Sequence, residues 1–204
     1  MTHFLLFAFS ASLLSAEEAS LFPSSALDDW TAKGRARWSY QDGVLSGGQD
    51  GDPERSGLLI SKASFQDFDL SFEFKIDEHG KYNSGIYLRY QAGQKGNHLQ
   101  VNIGRGAAGE PVGLYLDDWL DKGDAIDKFR KPKEWNALRI KAVGAHIEVW
   151  LNGQKIVDFE DKKRLAEHLK SGPLAIQTYG AEGHAGWVKF QKMKISRLNS
   201  KRGA

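Results

Sequence analysis

The chain has 204 residues, enough for one globular domain with a core, and its 28 basic side chains nearly balance 26 acidic ones, leaving a net charge of +2. A field that weak gives no reason to expect a nucleic acid or another polyanion as partner. With no cysteine, disulfides, thiolate catalysis, cysteine-type zinc sites and a bacterial lipid-anchor cysteine are excluded.

Residues 1–16, MTHFLLFAFSASLLSA, carry an apolar run from Phe4 to Leu14, too short to span a bilayer, which reads as the core of a signal peptide. Ser15 and Ala16 precede Glu17 and Glu18, which places the expected cleavage after Ala16. Residues 17–204 are then expected as a single exported domain, periplasmic or secreted, with no membrane attachment after cleavage. A buried N-terminal helix is the plainer alternative.

Strand patterns follow. FDLSFEFKI sets Phe68, Leu70, Phe72, Phe74 and Ile76 on one face and Asp69, Ser71, Glu73 and Lys75 on the other, a period of two that implies one buried face. NSGIYLRY alternates Ile86 and Leu88 with Tyr87 and Arg89, and HLQVNI alternates Leu99, Val101 and Ile103 with His98, Gln100 and Asn102. The stretch from Trp135 to Phe159 predicts a hairpin turning at Val143-Gly144-Ala145, with a second tight turn at Asn152-Gly153. KKRLAEHLK, 162–170, is the one helix candidate, stopped by Ser171-Gly172-Pro173. PLAIQTYG and WVKFQKMKISRL supply the last strands. Many short strands with one short helix predict an all-β fold, a two-sheet antiparallel jelly-roll sandwich.

The stretch VNIGRGAAGEP contains G-x-G-x-x-G in Gly104, Gly106 and Gly109. A dinucleotide fingerprint needs a helix opening on its third glycine. Here Glu110-Pro111-Val112 and the strand-like GLYLDD follow instead, so the glycines are expected in a turn between strands.

The polar faces of the alternating strands are the candidate ligand surface. By parity one row holds Tyr87 and Arg89, then His98, Gln100 and Asn102, then Gln177 and Tyr179. Such side chains suit sugar hydroxyls, and tyrosine can stack on a sugar ring; a solvated outer face is the plain alternative. The carboxylate pattern E-x-D-x-x-E of glycosidases is absent, as are G-x-S-x-G and H-E-x-x-H. Asp117, Asp118, Asp121, Asp124 and Asp127 could hold a structural Ca²⁺, but their spacing fits no EF-hand and a solvated loop is the adopted reading. No cofactor and no metal site is expected. Trp119, placed in that loop, is the best candidate for an exposed aromatic beside a site.

The ordered segments LDDWTAKGRARWSYQDGVLSGG, FQDFDLSFEFKI, NSGIYLR, GLYL, KPKEWN, VWLNGQKIVDF, GPLAIQTYG and VKFQKMKI resemble the 3-keto-disaccharide hydrolase family over residues 21–198. The resemblance implies a concanavalin A-like jelly roll, common in exported proteins of Bacteroidetes and Planctomycetes. It also implies a carbohydrate partner, a glycoside oxidised to a ketone at C3. That ketone acidifies the C2 hydrogen, so a base forms an enolate, the glycosidic oxygen leaves from C1, and water adds. Such chemistry needs a base, an enolate stabiliser and a leaving-group acid rather than a carboxylate pair.

The family's Asn-Ser-Gly-Ile-(Phe/Tyr)-Leu-Arg survives whole as Asn83 to Arg89. Its Glu-Val-Gln is here His98-Leu99-Gln100, and its Gln-Asp-His-Gly is Gln177-Thr178-Tyr179-Gly180. The departures fall where catalytic groups are expected, so His98 is taken as the base and Tyr179 as the proton donor in place of the family's residues, with Arg89 of the retained motif as enolate stabiliser. The parity row supplies Tyr87, Gln100, Asn102 and Gln177, with Trp119 beside it, as substrate-binding residues. A carbohydrate-binding module that kept the fold without the chemistry is the second reading.

Overall fold

The computed structural model describes residues 18–24, 27–49, 56–79, 82–93, 98–104, 109–162, 170–180 and 186–198. The expected signal peptide and residues 163–169 of the expected helix lie outside the described residues, among which there is no helix. The strands are β1 (Glu18–Ser20), β2 (Trp30–Gly34), β3 (Trp38–Gln41), β4 (Val44–Gln49), β5 (Gly57–Phe65), β6 (Phe68–Ile76), β7 (Tyr82–Tyr87) and β8 (Gln100–Ile103). They continue as β9 (Val112–Leu116), β10 (Asp118–Asp124), β11 (Asn136–Val143), β12 (His146–Leu151), β13 (Gln154–Glu160), β14 (Gly172–Gly180) and β15 (Gly186–Arg197).

They form two sheets whose described pairings are all antiparallel. The first runs β13-β12-β11-β6-β15-β4-β3, with β1 also on β15; the second runs β10-β9-β8-β7-β14-β5-β2. This is the two-sheet antiparallel sandwich that the alternation predicts.

Strand β6 shows why the register holds. Phe68, Leu70, Phe72, Phe74 and Ile76 are at most 3% exposed, while the residues between them are half-buried on the other face. Burying such a side chain stabilises by about 2 kcal/mol, so a slip of one residue would forfeit on the order of 10 kcal/mol. That is comparable with the whole stability of a domain. Against this face lie Ile86, Val101, Ile103, Leu114 and Ile176 of the second sheet, in one continuous core.

The tight turns obey local chemistry. Asn152 and Gly153 join β12 to β13 with φ of 49° and 83°, the doubly left-handed conformation that asparagine and glycine tolerate. Asn152 Oδ1 also accepts the Ala137 N–H at 2.9 Å. The glycine stretch connects β8 to β9, an antiparallel pair, so no helix opens on it and the nucleotide reading fails. One expectation is corrected here. The acidic segment is largely strand β10, irregularly paired with β9, because Trp119 and Asp121 still find ladder partners in Tyr115 and Leu114.

Candidate functional site

The site is built on the outer face of the second sheet, and backbone register fixes its rows. Lys33 pairs with Leu58, Leu58 with Gln177, Gln177 with Gly85, Gly85 with Asn102 and Asn102 with Gly113. Two residues along the strands, Ala175, Tyr87, Gln100 and Tyr115 form the neighbouring row. Glycine at 85 and 113 leaves the middle of this face without bulk. Gln100 and Asn102 are nevertheless 4% and 2% exposed, although their parity points them away from the core. The centre of this face, at Gln100 and Asn102, is therefore covered rather than open to solvent.

Gln100 lies flat across Gly85: a Cβ added there would stand 2.3 Å from Gln100 Nε2. From this position Gln100 Nε2–H donates to Gln177 Oε1 at 2.6 Å, and Gln177 Nε2–H donates to Tyr87 Oη at 3.1 Å. Burial pushes the Tyr87 phenol up to about 12, with smaller contributions from Tyr90 and Tyr115. Beside it the His98 ring packs against Tyr90 at 4.4 Å and Tyr87 at 5.8 Å. Tyr87, Tyr90, His98 and Gln177 line a groove of about 310 Å³ with Lys33 and Leu58.

The structure thus brings together His98, Tyr87, Gln100 and Gln177 as parity expects. Arg89 is a correction. Strand β7 ends at Tyr87, and φ of 51° at Arg89 turns the backbone out of the row. Its guanidinium is buried and donates to the Gln66 carbonyl, the Gly144 carbonyl at 2.8 Å and Asp67 Oδ1 at 3.3 Å. It clamps one sheet to the turns of the other.

Tyr179 is a second correction. It pairs with Asn83, one step beyond the Ser84–Ile103 pair, and is therefore level with Gly104. Six residues separate that level from His98, about 20 Å along the strand at roughly 3.3 Å per residue. At 49% exposure Tyr179 stands at the far end of the face, and the two cannot serve one bond. Asn102 is occupied structurally, its Nδ2 donating to the Pro111 carbonyl at 2.8 Å. Trp119 lies on β10 rather than in a loop, half-buried, its ring 5.3 Å from Tyr115 and beyond Gln100 in the same row. Thr178 faces the core, fully buried, with its hydroxyl lacking a partner.

Two residues escaped the sequence reading. Tyr90 follows the Arg89 turn, where alternation no longer predicts direction. Glu110 is held by Asn83 Nδ2 and by Asn102, and burial raises its carboxyl above the usual range. Its Cβ would meet a Cβ at Gly104 at 2.7 Å, so Gly104 is glycine to let Glu110 in. No local pattern signals a contact 27 residues distant.

The carboxylates of Asp118, Asp121, Asp124 and Asp127 each accept from protein donors. Asp124 is buried and accepts three backbone N–H groups, from Lys128, Phe129 and Arg130; Asp127 pairs with Arg130. On the opposite face of the molecule, His146, Glu148 and Asp158 bring ligand atoms within 4.8 Å of one another. Lys155 already pairs with both carboxylates, at 2.5 and 2.9 Å.

The model of the 3-keto-alpha-glucoside-1,2-lyase-like domain family matches residues 17–196. The chain is 25% identical over 219 residues to a 3-keto-disaccharide hydrolase of Bacteroides thetaiotaomicron, covering 84% of this chain and 72% of that protein. Among solved structures, a candidate glycosyl hydrolase from Parabacteroides distasonis is similar with a TM-score of 0.65 and 20% identity, over 89% of this chain and 94% of that one. The carbohydrate-binding module CBM66 of Bacillus subtilis is similar with a TM-score of 0.58 and 18% identity, over 82% and 95%. These two likenesses establish the jelly-roll fold.

Proposed function

The chain belongs to the 3-keto-alpha-glucoside-1,2-lyase-like domain family, and from that premise we propose that it cleaves 3-keto-glycosides by elimination and hydration in the groove beside His98. The observation that carries this reading is the placement of an imidazole against two tyrosine rings, at 4.4 and 5.8 Å, in a groove with a directed amide pair at its side. A sugar seated on Tyr87 and Tyr90 presents its C–H bonds to His98, which takes the C2 proton as general base. The ketone at C3 makes that proton acidic, and the C1–O1 bond breaks as the enolate collapses. Water then adds to the resulting double bond at C1. The 25% identical 3-keto-disaccharide hydrolase supports this substrate class. The apolar run before Ala16 supports export of the mature chain.

A second reading is a carbohydrate-binding module. Its specific support is the aromatic row of Tyr87, Tyr115 and Trp119 along one face, together with the likeness to CBM66. One experiment separates the two. Purified protein is incubated with 3-keto-trehalose and simple 3-keto-glucosides, and release of the leaving sugar is followed by NMR. Turnover that falls roughly 100- to 10,000-fold in His98→Gln, with binding retained, fits the enzyme. Line broadening of an unoxidised glycan without turnover would replace it by the binding module.

A further inference from the structure

We propose that the Tyr87 phenol is the hydrogen-bond donor to the ketone oxygen of the bound sugar, its proton oriented by Gln100 and Gln177. This rests on the reading of the groove given above. The hydrogen bonds have a direction: Gln100 Nε2–H donates to Gln177 Oε1 at 2.6 Å, and Gln177 Nε2–H donates to Tyr87 Oη at 3.1 Å. Having accepted from Gln177, the Tyr87 oxygen directs its own proton elsewhere, and the open side is the groove its ring lines. Gly85 keeps Gln100 flat against the strand and so fixes the start of the relay. Burial holds the phenol protonated up to about pH 12, so a donor is present throughout the physiological range.

The geometry suits one reaction. His98 and Tyr87 meet edge to face with ring centroids 5.8 Å apart, and C2 and the C3 oxygen are neighbouring positions on a sugar ring. His98 removes the C2 proton, the C2–H electron pair becomes a C2=C3 bond, and the carbonyl pair moves to oxygen as an enolate held by Tyr87 O–H. The carbonyl then re-forms, C1=C2 forms, and O1 departs with the C1–O1 pair, taking a proton from the imidazolium or from water. Addition of water, hydroxyl to C1 and hydrogen to C2, completes the balance. Arg89, the stabiliser implied by the family motif, has its guanidinium committed to the other sheet. Tyr87 replaces it. Gln177 is a positioning residue in this scheme.

The test uses the whole purified chain with a 3-keto-glucoside in heavy water, following by NMR both exchange at C2 and release of the leaving sugar. Wild-type protein is expected to do both. Tyr87→Phe keeps the ring and should lower kcat and C2 exchange together by roughly 100- to 1,000-fold, with KM little changed. Gln177→Glu places a carboxylate that accepts the Tyr87 proton, so it should cause a similar loss, and none in addition to Tyr87→Phe. A folded Tyr87→Phe with wild-type exchange and kcat overturns the proposal and leaves the groove reading standing. Should that variant fail to fold, Gln177→Glu decides alone, wild-type kcat being the overturning result. Wild-type protein that neither exchanges C2 nor releases sugar overturns both.

Discussion

Arg89 Nη1 donates to the Gly144 carbonyl at 2.8 Å, fastening the residue just past β7 to the turn between β11 and β12 in the opposite sheet. Asp67 completes the clamp, accepting from Arg89 Nη2 at 3.3 Å and from the Gly144 N–H at 2.9 Å. Both side chains of the ion pair are at most 4% exposed. Removing one partner of a buried pair leaves the other charge uncompensated, at a cost of roughly 3–5 kcal/mol. Arg89→Met should therefore lower the midpoint of urea unfolding strongly. Turnover per folded molecule should stay within a few-fold of wild type. Loss of turnover at unchanged stability would return the arginine to the groove.

Glu110 carries a pH signature. Burial raises its carboxyl, so the folded chain holds that proton to higher pH than the unfolded chain does. Its contribution to stability is complete below the unfolded carboxyl range and is lost as pH rises through the folded value. Glu110→Gln removes that titration and supplies an N–H close to Asn83 Oδ1, which is buried without a partner. A new hydrogen bond there is worth about 1 kcal/mol. The variant should melt at or above the wild-type temperature near pH 7, and the difference should narrow as pH falls through the raised folded carboxyl range towards that of the unfolded chain. A variant less stable at pH 7 would show that the charged carboxylate is the favoured form.

What could be read in advance followed one physical rule, the alternation of side chains across a strand. It placed Phe68 through Ile76 in the core, and it put Tyr87, Gln100 and Gln177 on one outer face, where they hydrogen-bond. It failed where the backbone leaves the strand. The positive φ at Arg89 reverses the direction that parity assigns, and Tyr90 reaches His98 only because of that turn. Parity also gives the face without the distance along it, so Tyr179 and His98 were grouped although six residues of strand separate their levels. Glu110 depends on packing across the β8–β9 connection, which no short-range pattern encodes.

Asp124 stabilises through its own hydrogen bonds. Its carboxylate accepts from three consecutive backbone N–H groups, at 2.7, 3.0 and 3.0 Å. Asp121 accepts the Gly123 N–H at 2.9 Å, and Asp127 is paired with Arg130. With these oxygens already satisfied, Ca²⁺ has little to gain here, and neither a chelator nor added Ca²⁺ should shift the melting temperature. Asp124→Ala should cost several kcal/mol, since hydrogen bonds to a charged group are worth about 1.5–3 kcal/mol each. A chelator-induced drop in melting temperature would reinstate the cation.

Gly85 and Gly113 lie on the same row, and their replacement by alanine should separate function from stability. At Gly85 the three atoms nearest the new Cβ all belong to the Gln100 side chain, at 2.3 to 2.8 Å, and a glutamine can swing away. The cost of such crowding is about 1–3 kcal/mol, a drop of a few degrees in melting temperature for a domain of this size. Swinging away, however, breaks the bond from Gln100 to Gln177 and frees the Gln177 amide from its orientation on Tyr87. At Gly113 the new Cβ meets the Asp121 carbonyl oxygen at 2.6 Å and Lys122 backbone at 2.8 Å, which can yield only by moving β10. Gly113→Ala should thus lose more stability than Gly85→Ala while keeping more of its turnover per folded molecule. Thermal melts and single-turnover kinetics on the two variants measure both quantities. Equal losses of activity would mean that the Gln100 relay has no part in the reaction.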